Sequence, residues 1–247
     1  MIFYKAVKQS VLDEEPFFIT FYGPSTTSVE FVFPNWAEII RFALKRNVEE
    51  ESSLYQIAYW YIQTSNFGLN GATSRDLRMH FDKLVTERKP RMIFLNSSKN
   101  DPFLDIPLRE TKRNTEWLIE RCLALDLLVV YTTSVPSKQD DLNKKIMQYV
   151  ELDRRTAQGF QTNDNLRFVD YYDYFRKEDI EKAYSLISPS GNEHFQIEPG
   201  EVDPIHFNRY GNALVAKTLL KEIFKIDFDH NKFLKDLKDD SKKYPGF

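Results

Sequence analysis

Residues 17 to 25 read Phe17-Phe18-Ile19-Thr20-Phe21-Tyr22-Gly23-Pro24-Ser25. The first six are aromatic or β-branched, which is typical of a buried strand, and Gly-Pro is a turn signal. In the next segment, Trp36 to Leu44, the apolar residues show helical spacing. This part of the chain therefore predicts a strand, a turn and a helix, the first unit of a sheet whose strands are connected by helices.

The same alternation of strand and helix continues toward the end of the chain. Further strands are predicted over Ile57 to Thr64, Met92 to Leu95, Leu127 to Thr132 and Leu166 to Asp170. Further helices are predicted around Arg75 to Glu87, Thr111 to Leu125, Asp141 to Gln158 and Gly211 to Phe224. A helix between two strands returns the chain to the same sheet, so that the strands run parallel. The predicted fold class is α/β, with helices on both faces of the sheet.

Length and composition fit one domain. The chain has 247 residues, 42% of them hydrophobic, which is enough for one good-sized core. We assign residues 1–247 to a single domain with its core at about 17–225. The tail, residues 227–247, is rich in Lys and Asp. There we expect a short solvated helix around Phe233 and Leu237, and frayed final residues.

Charge and cysteine content exclude several classes of function. The net charge is −3 with both signs mixed, whereas a nucleic-acid binder needs a basic surface, so we expect no nucleic-acid partner. The single cysteine, Cys122, excludes an internal disulfide and a thiolate metal site, and its helical surroundings favour a core position.

The apolar segments are too short for targeting or membrane insertion. The first 15 residues contain five charged side chains and no apolar stretch of signal-peptide length. The longest apolar run, Cys122 to Tyr131, is interrupted by Asp126 and is too short to span a bilayer. We therefore expect a cytoplasmic protein without a membrane span.

Polar residues and glycines follow the predicted strands. In an open parallel sheet, ligands bind beyond the carboxyl ends of the strands, so these residues mark the candidate site. Ser25 follows the first strand and offers a hydroxyl group near a helix N-terminus; alternatively, the Ser and Thr residues there only cap the next helix. Gly71 lies after the second strand, where a backbone amide can approach a ligand, although such a Gly/Asn turn is ordinary by itself.

Two further segments complete the candidate site. Asn100 follows the third strand; its side-chain amide can face a developing negative charge, or Asn-Asp-Pro simply forms a turn. In Asp203-Pro204-Ile205-His206, the carboxylate can accept a hydrogen bond from imidazole Nδ1, which leaves Nε2 to accept a proton from a serine. Alternatively, His206 is incidental and Asn208 caps the last helix. Together these residues supply a nucleophile, a base, an orienting acid and oxyanion donors, which are the groups that acyl transfer requires.

In this order the four segments resemble the sequence blocks of the SGNH hydrolase superfamily, also called GDSL esterases and lipases. Gly23-Pro24-Ser25 corresponds to the block Gly-Asp-Ser, and Asn66 to Thr73 corresponds to Asn-x-Gly-x-x-Gly-x-Thr. Ser98 to Asp101 corresponds to Gly-x-Asn-Asp, and Asp203 to His206 corresponds to Asp-x-x-His. The resemblance extends over about residues 17 to 225.

The resemblance implies a flavodoxin-like, three-layer α/β/α sandwich with a five-stranded parallel sheet in the order 2-1-3-4-5. It implies neither a metal nor another cofactor. Ser25 would be the nucleophile, His206 the general base and Asp203 the residue that orients it. The oxyanion hole would consist of the backbone amides of Ser25 and Gly71 and the side chain of Asn100.

Two positions depart from the blocks of this superfamily. Pro24 replaces the Asp of Gly-Asp-Ser; because proline fixes φ and lacks an amide donor, we expect a different geometry at this turn. Ser98 replaces the Gly of Gly-x-Asn-Asp, and we expect its side chain to narrow the site or change the approach of the substrate. Neither change removes a catalytic group.

The predicted function is a serine esterase that hydrolyses a small acyl or carbohydrate O-acyl ester. The sequence shows no clearly apolar lid, which favours such substrates over long-chain lipids. One alternative is an acyltransferase, which shares the nucleophile and differs only in its acceptor. Another is a catalytically weak module that binds a glycan or another ligand, although core packing explains the aromatic content of 15% better than sugar stacking. A phosphate or flavin binder is disfavoured because the first loop lacks a run of glycines.

Overall fold

A computed structural model of the chain describes residues 2–52, 57–176, 180–193, 197–239 and 241. Its centre is a sheet of five parallel strands in the order β2-β1-β3-β4-β5. The strands are β1 (Phe17–Pro24), β2 (Ile62–Leu69), β3 (Met92–Leu95), β4 (Leu128–Thr132) and β5 (Leu166–Val169). This confirms the predicted α/β class and the strand order 2-1-3-4-5.

Helices cover both faces of the sheet, as predicted. They are α1 (Ile2–Leu12), α2 (Trp36–Ser52), α3 (Ile57–Tyr61), α4 (Ser74–Leu84), α5 (Leu108–Ala124), α6 (Asp140–Gly159), α7 (Tyr171–Arg176), α8 (Arg209–Leu219) and α9 (His230–Asp236). Short 3₁₀ turns lie at Thr86–Arg88 and Ile180–Ala183, and a π-helical turn extends α8 over Leu220–Phe224. The predicted helix near 211–224 therefore changes its hydrogen-bond pattern after Leu219.

Two hydrophobic cores lie on the two faces of the sheet because side chains alternate along each strand. Phe17, Ile19 and Phe21 of β1 belong to the core formed with α1, α2 and α8. Tyr22 belongs to the opposite core, which β3 and β4 form with α4 and α5. Cys122 is fully buried in this second core, as predicted, and burial raises the pKa of its thiol.

The second strand lies further along the chain than predicted. Residues Ile57–Tyr61, expected to begin the strand, form the short helix α3, and β2 spans Ile62–Leu69. Parallel pairing with β1 decides the boundary, because β2 is in register with all of Phe17–Pro24. Aromatic and β-branched composition alone does not distinguish the two segments, since pairing and burial outweigh strand propensity. The loop that carries Gly71 consequently begins at Asn70.

Helices at the two ends of the described chain contribute to the first core. Helix α1, which we did not predict, buries Phe3, Val7 and Val11 on one face. In α9, Phe233 is 2% exposed and lies in the same core. The expectation of a solvated helix was therefore wrong for this face of α9. Residues 242–247, expected to be frayed, lie outside the described residues.

Among the described helices, none combines the length and the apolar character that crossing a bilayer requires.

Candidate active site

Ser25 occupies the turn that directly follows β1. The turn is closed by hydrogen bonds from Thr27 N to Pro24 O at 2.8 Å and from Ser28 N to Ser25 O at 3.0 Å. The Ser25 hydroxyl oxygen lies 2.8 Å from Nε2 of His206. Ser25 does not cap the following helix, because the Asn35 side chain accepts hydrogen bonds from the first amides of α2.

Side chains from three segments hold this turn. The indole Nε1 of Trp36 donates to Thr26 O at 2.8 Å. The side-chain amides of Asn35 and Asn66 donate to Thr27 O at 2.7 and 2.8 Å. These bonds fix the backbone that follows the nucleophile candidate, so its hydroxyl group has a defined position.

Pro24 fits the strand without costing a hydrogen bond. Backbone groups along a strand point alternately to its two neighbours, and the carbonyl groups of Phe18 and Tyr22 accept bonds from the β3 side, from Arg91 N and Asn96 N. Pro24 is the next residue on that side and lies beyond the last of these bonds. The amide that it lacks is therefore not needed by the sheet, as is usual for a proline at the end of pairing.

Gly68 and Gly71, both in the segment from Asn66 to Thr73, are glycine for different structural reasons. Gly68 lies opposite Gly23 in the β1–β2 pair, and a Cβ atom on it would come within 2.1 Å of Ser28 N. Close backbone approach therefore requires glycine at 68. Gly71 instead has φ +73°, the left-handed region that favours glycine, with open space where a side chain would be.

Asn100 and Asp101 connect the loop after β3 to the loop after β2. The side-chain amide of Asn100 donates to Ala72 O at 3.0 Å, and its second N–H remains available for another acceptor. The buried Asp101 carboxylate accepts from Ser74 N at 2.7 Å and from Ser74 Oγ at 2.6 Å. Burial, partly offset by these bonds, raises the pKa of Asp101.

Ser98 does not narrow the site, contrary to the expectation from its sequence. Its side chain is fully buried and donates a 2.6 Å hydrogen bond to Asp153 of α6, away from Asn100. Tyr131 of β4 donates to the other oxygen of the same carboxyl group at 2.5 Å. Burial raises the pKa of Asp153 to about 7, and the two hydrogen bonds oppose this rise. The serine therefore anchors the loop to the helix behind it.

Asp203 and His206 form a hydrogen-bonded pair on the loop before α8. Nδ1 of His206 lies 2.7 Å from Oδ2 of Asp203, and the other carboxylate oxygen accepts from Ile205 N and His206 N at 2.8 and 3.0 Å. Burial tends to raise the pKa of Asp203, but the hydrogen bonds from His206 and Ile205 outweigh it, so this pKa is lowered. A charged carboxylate holds the tautomer that presents a free Nε2 to Ser25.

This loop is held mainly through its backbone. Asp203 N donates to Leu186 O at 2.8 Å, and Pro204 O accepts from Ser137 Oγ at 3.0 Å and Lys138 N at 3.1 Å. Immediately afterwards, Asn208 caps α8 by accepting from Gly211 N. A catalytic His206 and a capping Asn208 were alternatives on the sequence alone. In the structure, Asn208 caps α8 and His206 also lies opposite Ser25.

The five predicted site residues line one cleft of about 610 Å³. Ser25, Gly71, Asn100, Asp203 and His206 all contribute to its wall. The remaining described lining residues are Phe31, Asn70, Phe103, Leu104, Leu186, Ile187, Ser188, Pro189, Ser190, Gly191, Asn192, Ile197 and Ile205. All the described lining residues taken together include no Lys or Arg, and Asp203 is the one carboxylate among them.

Two side chains beside this site were not predicted. Phe31 stacks on the His206 ring, and Lys99 is buried with its amino group 3.5 Å from Val135 O. Burial lowers the pKa of Lys99 to about 8, while attraction to Asp203 opposes the decrease. The sequence carries a signal for Phe31, since apolar residues recur at 29, 31 and 33 in a predicted loop next to Ser25. No comparable signal marks Lys99.

Comparison with known proteins gives one family match and several similar folds. The model of the GDSL-like lipase/acylhydrolase family matches residues 22–214. The solved acetylxylan esterase Axe2 from Geobacillus stearothermophilus is similar in structure, with a TM-score of 0.62, 18% identity and coverage of 87% of this chain and 96% of that chain. A lipase/acylhydrolase from Enterococcus faecalis gives a TM-score of 0.61 and 19% identity, with coverage of 84% and 95%. None of the curated protein sequences matches this chain.

Proposed function

The chain belongs to the GDSL-like lipase/acylhydrolase family, whose members are hydrolases that act on ester bonds, and we propose that it is a serine esterase with Ser25 as nucleophile. The observation that carries this proposal is the continuous chain of hydrogen bonds from Ser25 through His206 to Asp203, which opens onto the cleft. A hydroxyl group 2.8 Å from a suitably oriented imidazole can transfer its proton during attack on a carbonyl carbon.

The proposed reaction has two steps. Ser25 Oγ attacks the acyl carbon while its proton passes to Nε2 of His206, which then gives the proton to the leaving alcohol as the ester bond breaks. A water molecule next attacks the acyl-enzyme, with His206 again accepting the proton and returning it to Ser25. The negative charge on the carbonyl oxygen is stabilised by the backbone amides of Ser25 and Gly71 and by the free N–H of Asn100.

The cleft supports an uncharged ester as substrate. Its described lining residues include no Lys or Arg that could form an ion pair with an anionic substrate. Apolar side chains such as Phe103, Leu104 and Ile187 occur beside polar ones such as Asn70 and Ser188. We propose a small acyl ester or an O-acylated carbohydrate, the latter being the class named for the structurally similar acetylxylan esterase.

The test is hydrolysis of p-nitrophenyl acetate by the wild type and by Ser25→Ala and His206→Ala. Each substitution should reduce kcat by about 10⁴-fold or more, since nucleophile and base act as one unit. Melting temperatures should change little, which distinguishes lost chemistry from lost folding. A fluorophosphonate probe should label the wild type but not Ser25→Ala. Near wild-type turnover in either variant would refute the assignment.

The substrate class is tested by a second measurement. Rates on p-nitrophenyl esters of increasing chain length should fall beyond short chains, and acetylated xylo-oligosaccharides should release acetate. Adding acceptor alcohols would expose a transferase by formation of new esters. Preference for long acyl chains would overturn the proposed substrate class while leaving the serine mechanism intact.

A further inference from the structure

The ring of Phe31 lies parallel to the ring of His206. The two centroids are 3.9 Å apart and the planes differ by 7°. Phe31 nevertheless remains 41% exposed, and its neighbour in the same loop, Phe33, is 65% exposed. Phe31 is thus not a core residue: it covers one face of the imidazole and borders the cleft.

Polar contacts fix the loop on both sides of Phe31. The preceding residue, Glu30, accepts a hydrogen bond from the side chain of Asn70, next to Gly71. Two residues after Phe31, the Phe33 carbonyl accepts from Arg209 Nε at 2.9 Å. The stack is therefore held by contacts to the loop after β2 and to the start of α8, and it does not depend on ring-to-ring attraction alone.

A ring in this position interacts differently with the two protonation states of His206. An aromatic face attracts a cation placed within about 6 Å of its centroid, so the imidazolium form is favoured over the neutral form. The imidazolium is the form that arises when His206 takes the proton of Ser25. Phe31 also excludes water from that face, which strengthens the interaction.

Other groups facing His206 are few. Asp203 bonds to Nδ1 and Ser25 to Nε2. The described residues around the adjoining small cavity, formed by the 25–35 segment, His206 and the start of α8, include no Asp, Glu, Lys or Arg. Near Asp203, burial lowers the pKa of Lys99 to about 8, and attraction to Asp203 opposes the decrease.

We propose that Phe31 is a positioning residue that holds the imidazole in its plane and stabilises its protonated form during proton transfer from Ser25. This rests on the proposed esterase mechanism and adds a residue that the sequence blocks of the superfamily do not include. A cation over the ring is stabilised during catalysis, whereas the neutral base of the resting enzyme gains less. The interaction therefore favours the transition state over the ground state.

The experiment compares Phe31→Leu, Phe31→Tyr and the control Phe33→Leu in p-nitrophenyl acetate hydrolysis between pH 5 and 9. Phe31→Leu should lower kcat by about 2- to 30-fold. It should also move the acid limb of the kcat/KM profile to lower pH, because His206 loses stabilisation of its protonated form. Phe31→Tyr should retain both properties, since it keeps an aromatic face. Phe33→Leu, which changes an exposed ring in the same loop, should match the wild type.

A loss of rate in Phe31→Leu with an unmoved acid limb would overturn the proposal, since mere packing of the loop would produce that result. Equal effects of Phe31→Leu and Phe33→Leu would overturn it as well. If the wild type itself hydrolysed no ester, the proposed function would fail first. The stacking would then be tested separately by NMR titration of the His206 ring, identified by its absence in His206→Ala. Its midpoint should lie at lower pH in Phe31→Leu, and an unchanged midpoint would refute the inference.

Discussion

The two walls of the cleft are built by different means. On one wall, Ser25, Gly71 and Asn100 follow β1, β2 and β3, which are adjacent strands of the sheet. On the other wall, Asp203 and His206 lie on a loop between Leu186 and Asn208. An isolated antiparallel bridge between Ile187 and Val202 and bonds to the backbone of 186 and 204 hold that loop.

The difference determines how substitutions should act on each wall. Positions on the first wall depend on the register of the sheet, and its polar contacts are buried beneath the cleft. A change to the contacts that join these loops and strands, such as those of Asn100 and Gly68, should therefore affect folding together with catalysis. Ser25→Ala removes only the hydroxyl group bonded to His206 and should leave stability nearly unchanged. On the second wall, the side chains of Asp203 and His206 are not part of the hydrophobic cores, so a change of either should affect catalysis with only a small loss of stability.

Apart from the losses expected for Ser25→Ala and His206→Ala, the largest effect is expected on the second wall, from Asp203→Asn. The amide would preserve the size of the side chain but would favour the wrong tautomer of His206, at a cost of about 10⁴-fold in kcat. Stability should change little, because one oxygen can still accept from Ile205 N and His206 N. Steady-state kinetics and thermal unfolding of one preparation measure both quantities. A variant with more than a tenth of wild-type kcat would show that Asp203 is not the orienting group.

On the first wall, Asn100→Ala should reduce kcat by about 10²–10³-fold, the usual cost of one oxyanion donor. It also removes the bond to Ala72 O that joins the loops after β2 and β3, so the melting temperature should fall as well. KM should change much less than kcat, because the donor acts mainly on the developing charge. If KM rose while kcat was unchanged, Asn100 would be a substrate-binding residue instead.

Gly68→Ala tests how far the close packing behind the first wall contributes to stability. Its Cβ would clash with the backbone of Ser28, and overpacking of this kind costs about 1–3 kcal/mol of unfolding free energy. Gly159→Ala is the matched control, because the ideal Cβ there meets no atom within 4 Å. Chemical denaturation should show a loss for Gly68→Ala alone. Equal stability of the two variants would mean that the turn after β1 can shift freely and that close backbone approach does not require glycine at 68.

The smallest effect on catalysis is expected from Asp153→Asn, behind the first wall. With its pKa at about 7 against about 3.9 in an unfolded chain, the folded state alone keeps this proton between about pH 4 and pH 7. The wild type should therefore lose up to about 1.4 kcal/mol of stability per pH unit as the pH rises through this range, relative to Asp153→Asn. Urea denaturation at pH 4.5 and 7 measures the difference. Parallel pH dependences would show that the carboxyl group is already ionised at pH 4.5 when folded.

The alternation of strands and helices predicted the class of the fold, and the strand order followed from the family resemblance. The start of the second strand was wrong because pairing with β1, not composition, decides that α3 ends at Tyr61. The five residues predicted for the site lie together because residues after parallel strands and before the last helix converge at one edge of the sheet.

Side-chain directions could not be predicted in the same way. Ser98, in the loop after β3, points to Asp153, a partner 55 positions away on helix α6, and no local pattern encodes that contact. Lys99 is buried among loops that meet only in the folded chain. The sequence alone could have drawn attention to Phe31 as an unusual apolar residue in a loop. Its partner, His206, is known only from the tertiary structure.

The segment from Glu30 to Phe33 contacts both walls, through Asn70 on one and through His206 on the other, and it is also bonded to Arg209 at the start of α8. A substrate group that displaced this segment would disturb the base and the region beside Gly71 at the same time. Such a substrate would still bind in the cleft but would react slowly. Discrimination among esters would then be expressed in turnover rather than in affinity, and competing poor substrates would act as inhibitors of the good ones.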